Sequence, residues 1–356
     1  MADIMRFLEE KKGLIDGEIM RYFPKRLDIK YLEWAMGKAA YEYDLEALNG
    51  ALATPIWDFL GRGGKRWRPA LFLLITEALG GDPDKVKDFV IIPELAHEGS
   101  IMIDDIEDKG EMRRGRPCTH RLFGQDVAIN AGSIMYFLPL LAFVKNRKRF
   151  DEKTLIRAYE AYAEEMIRIH IGQATDIYWH KGKASGIREA QYFQMCAYKT
   201  GCLARMAARL AVVLSGGSRE QEEKIGRIGE NLGIAFQIRD DLLSLGDEGE
   251  KFTKGKGFGD DITEGKRSLA VIHTLKAASQ QDRKRLLELL DMHTTENSLI
   301  REAIGIITKY NAIEYAKGKA RELVERTWKD ADPLLPASEA KEKLHSFIRF
   351  AIERDI

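Results

Sequence analysis

The sequence is poor in proline, in cysteine and in net charge, and each shortage excludes a class of protein. Of the 9 prolines in 356 residues, none lies between residues 140 and 332. Because proline breaks helix interiors and central strands, this region favours long uninterrupted elements. The 56 basic residues balance the 56 acidic ones, which argues against a nucleic-acid partner, since nucleic-acid-binding proteins normally carry a basic excess.

The three cysteines, Cys118, Cys196 and Cys202, form no Cys-x-x-Cys pair of the kind that binds metal or exchanges electrons. An odd number without that spacing is typical of a reducing compartment, so we expect a cytoplasmic protein. The longest apolar run, residues 134–144, is shorter than the roughly 20 residues that cross a membrane. We therefore predict no transmembrane segment, and the mixed charges of residues 1–26 lack the apolar core of a signal peptide.

Helical spacing dominates the long proline-free region. Apolar residues from Leu155 to Ile169 recur every three or four positions, which places them on one helix face. The alternation of strand and helix patterns that is typical of dinucleotide-binding folds is missing. We predict an all-α chain of ten or more helices in a single domain, residues 1–356, in which residues 1–50 form an N-terminal helical extension.

An acidic cluster at residues 104–108, Asp-Asp-Ile-Glu-Asp, is the strongest chemical signal. On a helix, Asp104 and Asp108 lie four residues apart on one face, where their charges repel unless a cation lies between them. Such carboxylates suit Mg²⁺, which is usually shared with a substrate phosphate. A cluster of this kind on its own is more often a solvated acidic turn.

A second acidic pair, Asp240 and Asp241, lies near the end of a predicted helix over residues 220–245. Acids near a helix C-terminus are electrostatically unfavourable, and a bound cation would offset that cost. Carboxylates on separate helices can face each other across a bundle core and form a metal site. The two clusters together therefore favour a metal centre over two solvated turns.

Basic residues supply a complementary charge for anions. Residues 61–69, Gly-Arg-Gly-Gly-Lys-Arg-Trp-Arg-Pro, place four cations in a glycine-bearing loop at a helix start, as a diphosphate requires. The loop is not a P-loop, because Lys65 is not followed by Ser or Thr. Further basic residues at 113–116 and 266–267 follow the two acidic clusters. An acidic cluster followed by basic residues thus occurs twice in the chain. This repeated pattern fits the binding of a metal-bridged diphosphate better than a nuclear-targeting or nucleic-acid patch.

Six blocks, in order, resemble the signatures of the trans-isoprenyl diphosphate synthases, most closely those of the geranylgeranyl diphosphate synthase branch. The blocks are residues 64–69 (GKRWRP), 104–117 (DDIEDKGEMRRGRP), 172–176 (GQATD), 199–201 (KTG), 236–241 (FQIRDD) and 261–266 (DITEGK). The resemblance implies an all-helical bundle around a deep central cavity, usually as a homodimer. It also implies Mg²⁺-dependent, head-to-tail condensation of isopentenyl diphosphate with an allylic diphosphate such as dimethylallyl, geranyl or farnesyl diphosphate.

The resemblance assigns roles to single residues. Asp104 and Asp108 would bind Mg²⁺ from one wall and Asp240 from the other, with Asp105 and Asp241 in support and three ions bridged by the allylic diphosphate. The residues implied to grip the allylic diphosphate are Arg113, Lys199, Lys256 and Lys266. Those implied to hold isopentenyl diphosphate are Lys65, Arg68, His97 and Arg114. Thr200 and Gln237 would face the allylic carbon that becomes cationic.

The reaction explains these residue types. Loss of diphosphate from an allylic carbon leaves a delocalised cation and a highly charged leaving group, which metal ions and fixed cations stabilise. Water must be excluded, since it would convert the cation to an alcohol. Uncharged dipoles such as Thr200 and Gln237 can stabilise positive charge without capturing it. The released diphosphate can accept the final proton, so no side-chain base is assigned.

Product length depends on the residues before the first acidic cluster. Ala96, Gly99 and Ser100, one and two turns earlier, are small, and we expect them to line a tunnel that they leave open. This predicts a product longer than C15, with C20 favoured and C25 or more allowed. A floor could come from residues 134–137 or from a partner chain.

Two alternatives remain at this point. The third Asp that usually ends the second motif of the family is Ser244 here, which leaves open a catalytically weak subunit of a heteromeric synthase. A class I terpene cyclase shares the fold and the first motif, but it would leave Lys65, Arg68 and His97 unexplained. His97 on an apolar stretch is more often a core residue, yet it lies seven residues, or two helical turns, before Asp104.

Overall fold

Helices account for almost all regular structure in the computed structural model, which describes residues 2–179, 186–245 and 258–353. Within these ranges the only strands are Met112–Arg113 (β1) and Arg116–Pro117 (β2), which pair as a short antiparallel hairpin. The prediction of an all-α chain is therefore confirmed.

The first ten helices run from the N-terminus to the start of the long proline-free region. They are α1 (Ala2–Tyr22), α2 (Ile29–Met36), α3 (Leu45–Leu48), α4 (Thr54–Leu60), α5 (Trp67–Ala78), α6 (Pro83–Val86), α7 (Ile91–Glu107), α8 (Thr119–Phe123), α9 (Gln125–Phe137) and α10 (Leu141–Asn146). Short turns of 3₁₀ or π-helix at Asn49–Ala53, Lys87–Val90 and Leu138–Leu140 connect some of them.

The following helices include the longest in the chain. They are α11 (Glu152–Tyr178), α12 (Glu189–Cys196), α13 (Cys202–Leu214), α14 (Arg219–Leu243), α15 (Asp260–Thr263), α16 (Leu269–Ala277), α17 (Gln280–Asp291), α18 (Asn297–Lys309), α19 (Ala312–Ala331) and α20 (Glu339–Glu353). A π-helical turn at Ala197–Gly201 joins α12 to α13, and a 3₁₀ turn at Asp332–Leu334 follows α19. The absence of proline from 140 to 332 accords with helices of 27 and 25 residues at α11 and α14.

The chain divides into two compact units. The first consists of Met1–Tyr162, Ala207–Glu222 and Pro336–Leu344, and the second of Ala163–Met206, Glu223–Leu335 and His345–Ile356. Helices α11, α13, α14 and α20 therefore contribute residues to both units. The expectation of a single domain over residues 1–356 stays a prediction.

The N-terminal segment that the sequence indicated as an extension is an integral part of the first unit. Helix α1 buries an apolar face that includes Phe7, Ile15 and Ile19. Its last turn is fixed by the Tyr22 hydroxyl, which donates to Asp88 Oδ1 at 2.9 Å. Because these side chains are removed from water, α1 contributes to the core of the unit.

Helices α7 and α9 of the first unit pack closely. Gly99 lies at the crossing, where a Cβ would be 2.7 Å from the Gly132 carbonyl oxygen and 3.0 Å from Met135 Cβ. Only a residue without a side chain allows this approach. The surface of α7 at Gly99 is therefore occupied by α9.

The C-terminus of α7 determines where the first acidic cluster lies. The N–H of Gly110 donates to the Asp105 carbonyl at 2.8 Å, and that of Lys109 donates to Ile106 at 3.2 Å. Lys109 has a φ of 55°, and these bonds form a Schellman cap. Asp104 and Asp108 thus stand at the end of the helix, whose last turn contains no basic residue.

The second unit is built around an apolar cluster of α15 to α19. Its buried members are Leu245, Ile262, Ala270, Val271, Leu286, Leu289, Leu290, Ile300, Ala303, Ile307 and Ala312. Ser268 caps α16 by accepting from the N–H of Val271 at 3.4 Å, and Ser279 accepts from Asp282 at 3.2 Å at the start of α17. These caps fix the entry of both helices into the cluster.

One helical stretch of the described residues, Gln125–Asn146, is long and apolar enough to cross a membrane by length and composition. It comprises α9, a 3₁₀ turn and α10, and 39% of its most apolar window is buried. Core helices of soluble proteins pass the same test. The expectation that the chain has no transmembrane segment stays a prediction.

Candidate active site

Arg66 organises the glycine-bearing loop of the first unit. It is 4% exposed, and its guanidinium donates to Glu94 at 2.8 Å, to Glu98 at 2.9 Å and to Asp16 at 2.9 Å. Its φ of 49° places it in the left-handed region, which residues with a Cβ rarely adopt. The chain enters α5 directly after Arg66. Lys65, which precedes Arg66, is exposed, and Arg68, in the first turn of α5, is buried.

His97 lies among arginines contributed by separate elements of the first unit. Burial lowers the pKa of His97 well below its ordinary value, and the positive charges of Arg68 and Arg114 lower it further. The imidazole is therefore neutral near pH 7 and can donate one hydrogen bond. A neutral donor among fixed cations suits an anionic ligand.

The β1–β2 hairpin presents two arginines beside the end of α7. Arg113 Nε donates to Asp105 Oδ1 at 2.8 Å, and Asp105 is only 2% exposed. Arg114 has a φ of 53° at the turn of the hairpin; it donates to the Gly63 carbonyl at 2.6 Å and to Glu98 at 3.0 Å. Its guanidinium also lies 5.2 Å from the centre of the Phe59 ring.

In the second unit, Lys199 lies in the π-helical turn that joins α12 to α13. Its ammonium group forms an ion pair with Asp176, which lies on α11 and is 4% exposed. A π-helical turn projects its side chains differently from an α-helix and is frequent at functional sites. Asp176 therefore orients Lys199.

A chain of hydrogen bonds connects Thr200, which follows Lys199, to α14. Thr200 Oγ1 donates to Gln237 Oε1 at 2.8 Å, and Gln237 Nε2 donates to Asp241 Oδ1 at 2.8 Å. The Tyr192 hydroxyl donates to the other oxygen of Asp241 at 2.8 Å. Both oxygens of the buried Asp241 carboxylate accept hydrogen bonds from the protein, and Oδ1 fixes the amide of Gln237.

Lys266 stands among the carboxylates of the second unit. Its Nζ lies 3.4 Å from Asp261 Oδ1 and 4.0 Å from Asp241 Oδ1. Burial opposes the charged form, but Asp261 and then Asp241 raise the pKa of Lys266 well above its ordinary value. The ammonium group is therefore charged at any physiological pH. Ser244, which is 1% exposed, donates to Asp261 Oδ2 at 2.9 Å.

A model of the polyprenyl synthetase family matches residues 49–307. The chain belongs to this family. Among curated relatives, it is 35% identical over 293 residues to the short chain isoprenyl diphosphate synthase of Methanothermobacter thermautotrophicus, which covers 82% of this chain and 87% of that protein. It is 36% identical over 297 residues to the geranylfarnesyl diphosphate synthase of Aeropyrum pernix, covering 82% and 91%.

Solved structures agree with this assignment. The geranylgeranyl pyrophosphate synthetase of Pyrococcus horikoshii superposes with a TM-score of 0.84 at 29% identity, covering 99% of both chains. The resemblance seen in the sequence is thereby confirmed, and with it the enzyme class: this polyprenyl synthetase is a trans-prenyltransferase.

The structure brings together many of the expected site residues within each unit. In the first unit Arg68, His97, Arg113 and Arg114 lie near one another. In the second, Asp241 joins Gln237, and through it Thr200, to Lys266. Lys256 lies outside the described residues. The ligand and substrate roles of all of these residues stay predictions.

Asp105 and Asp241 differ from the other expected metal ligands. Both are buried, and each binds side chains of its own unit: Arg113 in one case, Gln237 and Tyr192 in the other. Asp108 and Asp240 are exposed, and Asp104 is half-buried. Asp105 and Asp241 are thus placed to hold neighbouring site residues.

The donor set fits Mg²⁺. Carboxylate oxygens are its preferred protein ligands, and α7 and α14 each bring them to a C-terminus whose last turn lacks a basic residue. Within the described ranges no three His, Cys, Asp or Glu side chains gather closely enough to hold a metal on their own. The family is generally Mg²⁺-dependent.

Several site residues were not singled out from the sequence as functional. In the sequence, Arg66 is one of four cations in the loop, and Glu98, between His97 and Gly99, belongs to no recognised motif. Tyr192 is far from both acidic clusters in the sequence. Their roles depend on tertiary contacts. The sequence offers a signal only for Glu98, which is an ionisable residue in a largely apolar helix.

The residues expected to set product length differ in their surroundings. Ala96 is fully buried, Gly99 faces α9 and Ser100 is half-buried. A phenylalanine at Gly99 would collide with the Gly132 carbonyl before it could affect a tunnel. Gly99→Phe is therefore a poor test of product length, and Ser100 is the better position.

Proposed function

We propose that this polyprenyl synthetase condenses isopentenyl diphosphate with an allylic diphosphate, head to tail, to a trans-polyprenyl diphosphate of C20 or longer. Dimethylallyl, geranyl and farnesyl diphosphate are the primers that fit this class of reaction. The observation that carries the proposal is the group of Arg68, Arg113 and Arg114 around a neutral His97, beside the acidic C-terminus of α7.

The first unit supplies the groups for isopentenyl diphosphate. Lys65, Arg68 and Arg114 provide fixed positive charge, and His97 provides a neutral donor. Arginine forms paired, charge-assisted hydrogen bonds with phosphate oxygens. Because hydrogen bonds to Gly63 and Glu98 hold Arg114 before substrate arrives, this side chain loses little entropy on binding.

We assign the binding of the allylic diphosphate to four cations: Arg113, Lys199, Lys256 and Lys266. Arg113 and Lys199 each pair with a buried aspartate, which fixes their positions. Cations held in this way stabilise the charge that develops on the departing diphosphate and need no rearrangement during the reaction.

The positive charge that develops on the allylic carbon is stabilised by Thr200 and Gln237. Asp241 holds the Gln237 amide through Nε2, so the amide oxygen points towards Thr200. Neither group is a strong nucleophile, so the carbocation is stabilised without being captured. The leaving diphosphate accepts the final proton.

Mg²⁺ would be held by Asp104 and Asp108 of α7 and by Asp240 of α14, with three ions bridged by the allylic diphosphate. When bound, the metal neutralises the diphosphate and makes it a better leaving group. Asp105 and Asp241 support the site by fixing Arg113 and Gln237.

We further infer a cytoplasmic homodimer. The first unit leaves several large apolar side chains exposed on α9 to α11: Ile129, Phe137, Val144, Ile156 and Tyr159. Exposed apolar groups of this kind mark protein–protein contacts when they form a continuous surface.

The terpene-cyclase alternative is not favoured, since it leaves the cations for isopentenyl diphosphate without a ligand. Incubation with labelled isopentenyl diphosphate, an allylic primer and Mg²⁺ tests the proposal. Label should enter an acid-labile prenyl product only when all three are present, and excess EDTA should abolish it. A cyclised hydrocarbon formed from the primer alone would identify a cyclase, and activity only after addition of a second protein would identify a heteromeric subunit.

A further inference from the structure

Glu98 occupies a central position that the roles above do not explain. Its side chain is 1% exposed on α7. It accepts from Arg66 of the glycine-bearing loop at 2.9 Å and from Arg114 of the hairpin at 3.0 Å. One carboxylate therefore connects the two segments that carry the cations for isopentenyl diphosphate.

Both arginines that Glu98 binds have an unusual backbone. Arg66 has a φ of 49° and Arg114 a φ of 53°, values that residues with a Cβ adopt only when their surroundings require it. Such conformations concentrate at ligand sites, where the contacts around them fix the geometry. Glu98 is the contact that the two strained residues share.

The backbone of the loop also lies against this pair. Gly64 has a φ of 142°, and a Cβ there would be 3.0 Å from Arg66 Nη1 and 3.5 Å from Glu98 Oε1. Arg114 donates to the carbonyl of the preceding residue, Gly63, at 2.6 Å. The loop, the hairpin and α7 therefore meet at Glu98, immediately beside Lys65.

We propose that Glu98 is a positioning residue for isopentenyl diphosphate, which holds Arg114 directly and Lys65 through the Arg66 loop in the geometry that receives the diphosphate. This inference rests on the proposed function. Two hydrogen bonds, to Glu98 and to Gly63, fix the plane of the Arg114 guanidinium over the Phe59 ring. Without the carboxylate, the guanidinium must be ordered by the substrate.

A purely structural role explains Glu98 less well. Burial and the neighbouring Glu94 carboxylate raise the pKa of Glu98 to about 7, against the opposing influence of Arg114 and Arg66. A buried ion pair is weak grounds for stability, because desolvation offsets its attraction. A glutamine would fill the same volume without that cost, so the charge is better explained by what it positions.

Steady-state kinetics of Glu98→Gln test the proposal. The KM for isopentenyl diphosphate should rise about tenfold, the usual effect of losing one charge-assisted hydrogen bond. The KM for the allylic primer and kcat should stay within about twofold, because their groups are bound elsewhere. Should the glutamine variant fail to fold, Glu98→Asp is the second variant, because it keeps the charge but has a shorter side chain. It should likewise raise the KM for isopentenyl diphosphate and leave the KM for the primer and kcat nearly unchanged.

Glu94→Gln is the matched control. Glu94 lies one turn earlier on α7, is 3% exposed and binds Arg66 at 2.8 Å; in the described part of the chain it has no hydrogen bond to Arg114. We expect a change of less than about threefold in the KM for isopentenyl diphosphate. Combining Glu98→Gln with Arg114→Lys should give less than the product of the two single effects, since both act through one guanidinium.

The proposal is overturned if folded Glu98→Gln keeps the wild-type KM for isopentenyl diphosphate. It is also overturned if both KM values rise equally, or if kcat alone falls, because either result indicates general disturbance. These results presuppose an active wild-type enzyme. A wild type that forms no prenyl product from isopentenyl diphosphate contradicts the proposed function instead.

Discussion

At the scale of single residues, Ser244 shows how local contacts decide the meaning of a departure from a motif. In the sequence it replaces a third aspartate and suggests a weakened metal site. In the structure it is buried and donates to Asp261, a carboxylate that also contacts Lys266. The serine therefore helps to hold Asp261 beside Lys266, the lysine that we propose binds the allylic diphosphate.

Ser244→Asp should harm the enzyme. A second carboxylate beside Asp261, with Lys266 as a shared cation, leaves buried charge uncompensated, and we expect the free energy of unfolding to fall by about 3 kcal/mol. Thermal unfolding and kcat of Ser244→Asp and the neutral control Ser244→Asn check this. Unchanged stability with a higher kcat would show that a third carboxylate does reach the metal.

The raised pKa of Glu98 predicts a pH dependence of stability. An acid whose pKa rises from 4.5 to about 7 on folding binds more protons in the folded state, so the free energy of unfolding falls as pH rises through this window. Glu98→Gln has no titratable group at this position, so its free energy of unfolding does not fall for this reason. Relative to the wild type, its stability should improve by on the order of 3 kcal/mol between pH 4.5 and 7.5.

Urea unfolding at a series of pH values measures this difference directly. Contributions from groups distant from residue 98 cancel, so the difference reports the titration of Glu98 together with that of the neighbouring Glu94. A difference that stays constant from pH 4.5 to 7.5 would mean that Glu98 keeps an ordinary pKa in the folded protein.

At the scale of elements, the sequence predicts helices well and the contacts between them poorly. The spacing of apolar residues predicts α11 and α14, because an amphipathic helix repeats its apolar residues every three or four positions. Nothing local indicated that Gly99 lies against α9, that Lys199 lies in a π-helical turn, or that Arg66 and Glu98 meet. Those features arise from residues far apart in the chain, and motif resemblance reached only those residues that belong to a known pattern.

Ser100→Phe should shorten the product. Ser100 lies on α7 one turn before Asp104 and is half-buried, so we expect an aromatic ring there to obstruct a growing chain. Ser100→Ala is the control, since it removes only the hydroxyl that donates to the His97 carbonyl at 2.8 Å. Chromatography of the products should show C15 or shorter for the phenylalanine variant. The same chain length in all three proteins would place the tunnel elsewhere.

At the scale of the whole molecule, fold class and reaction class were both accessible from the sequence. Six ordered blocks specify the family, and the match over residues 49–307 confirms it. Assembly was accessible only as an implication of that resemblance, since exposure of apolar side chains is known only once the helices are packed. Net charge, which is zero for the chain, concealed the separate acidic and basic groups of the site.

Phe137→Glu should weaken the homodimer that we propose. Phe137 is 65% exposed on α9, and a charge at the centre of an apolar interface costs several-fold to orders of magnitude in affinity. Met36→Glu on α2, at a residue that is 67% exposed, is the control and should leave the mass unchanged. Light scattering after size exclusion reports the outcome; equal masses for both variants and the wild type would place the interface on another face.

The central claim, chain elongation by head-to-tail prenyl transfer, is tested most directly by the mass of the intact product. The purified protein is incubated with Mg²⁺, isopentenyl diphosphate and each allylic primer in turn, and the diphosphates are analysed by mass spectrometry. The account predicts products that differ from the primer by whole five-carbon units and reach at least C20. Recovery of unextended primer, or of a hydrocarbon formed without isopentenyl diphosphate, would contradict it.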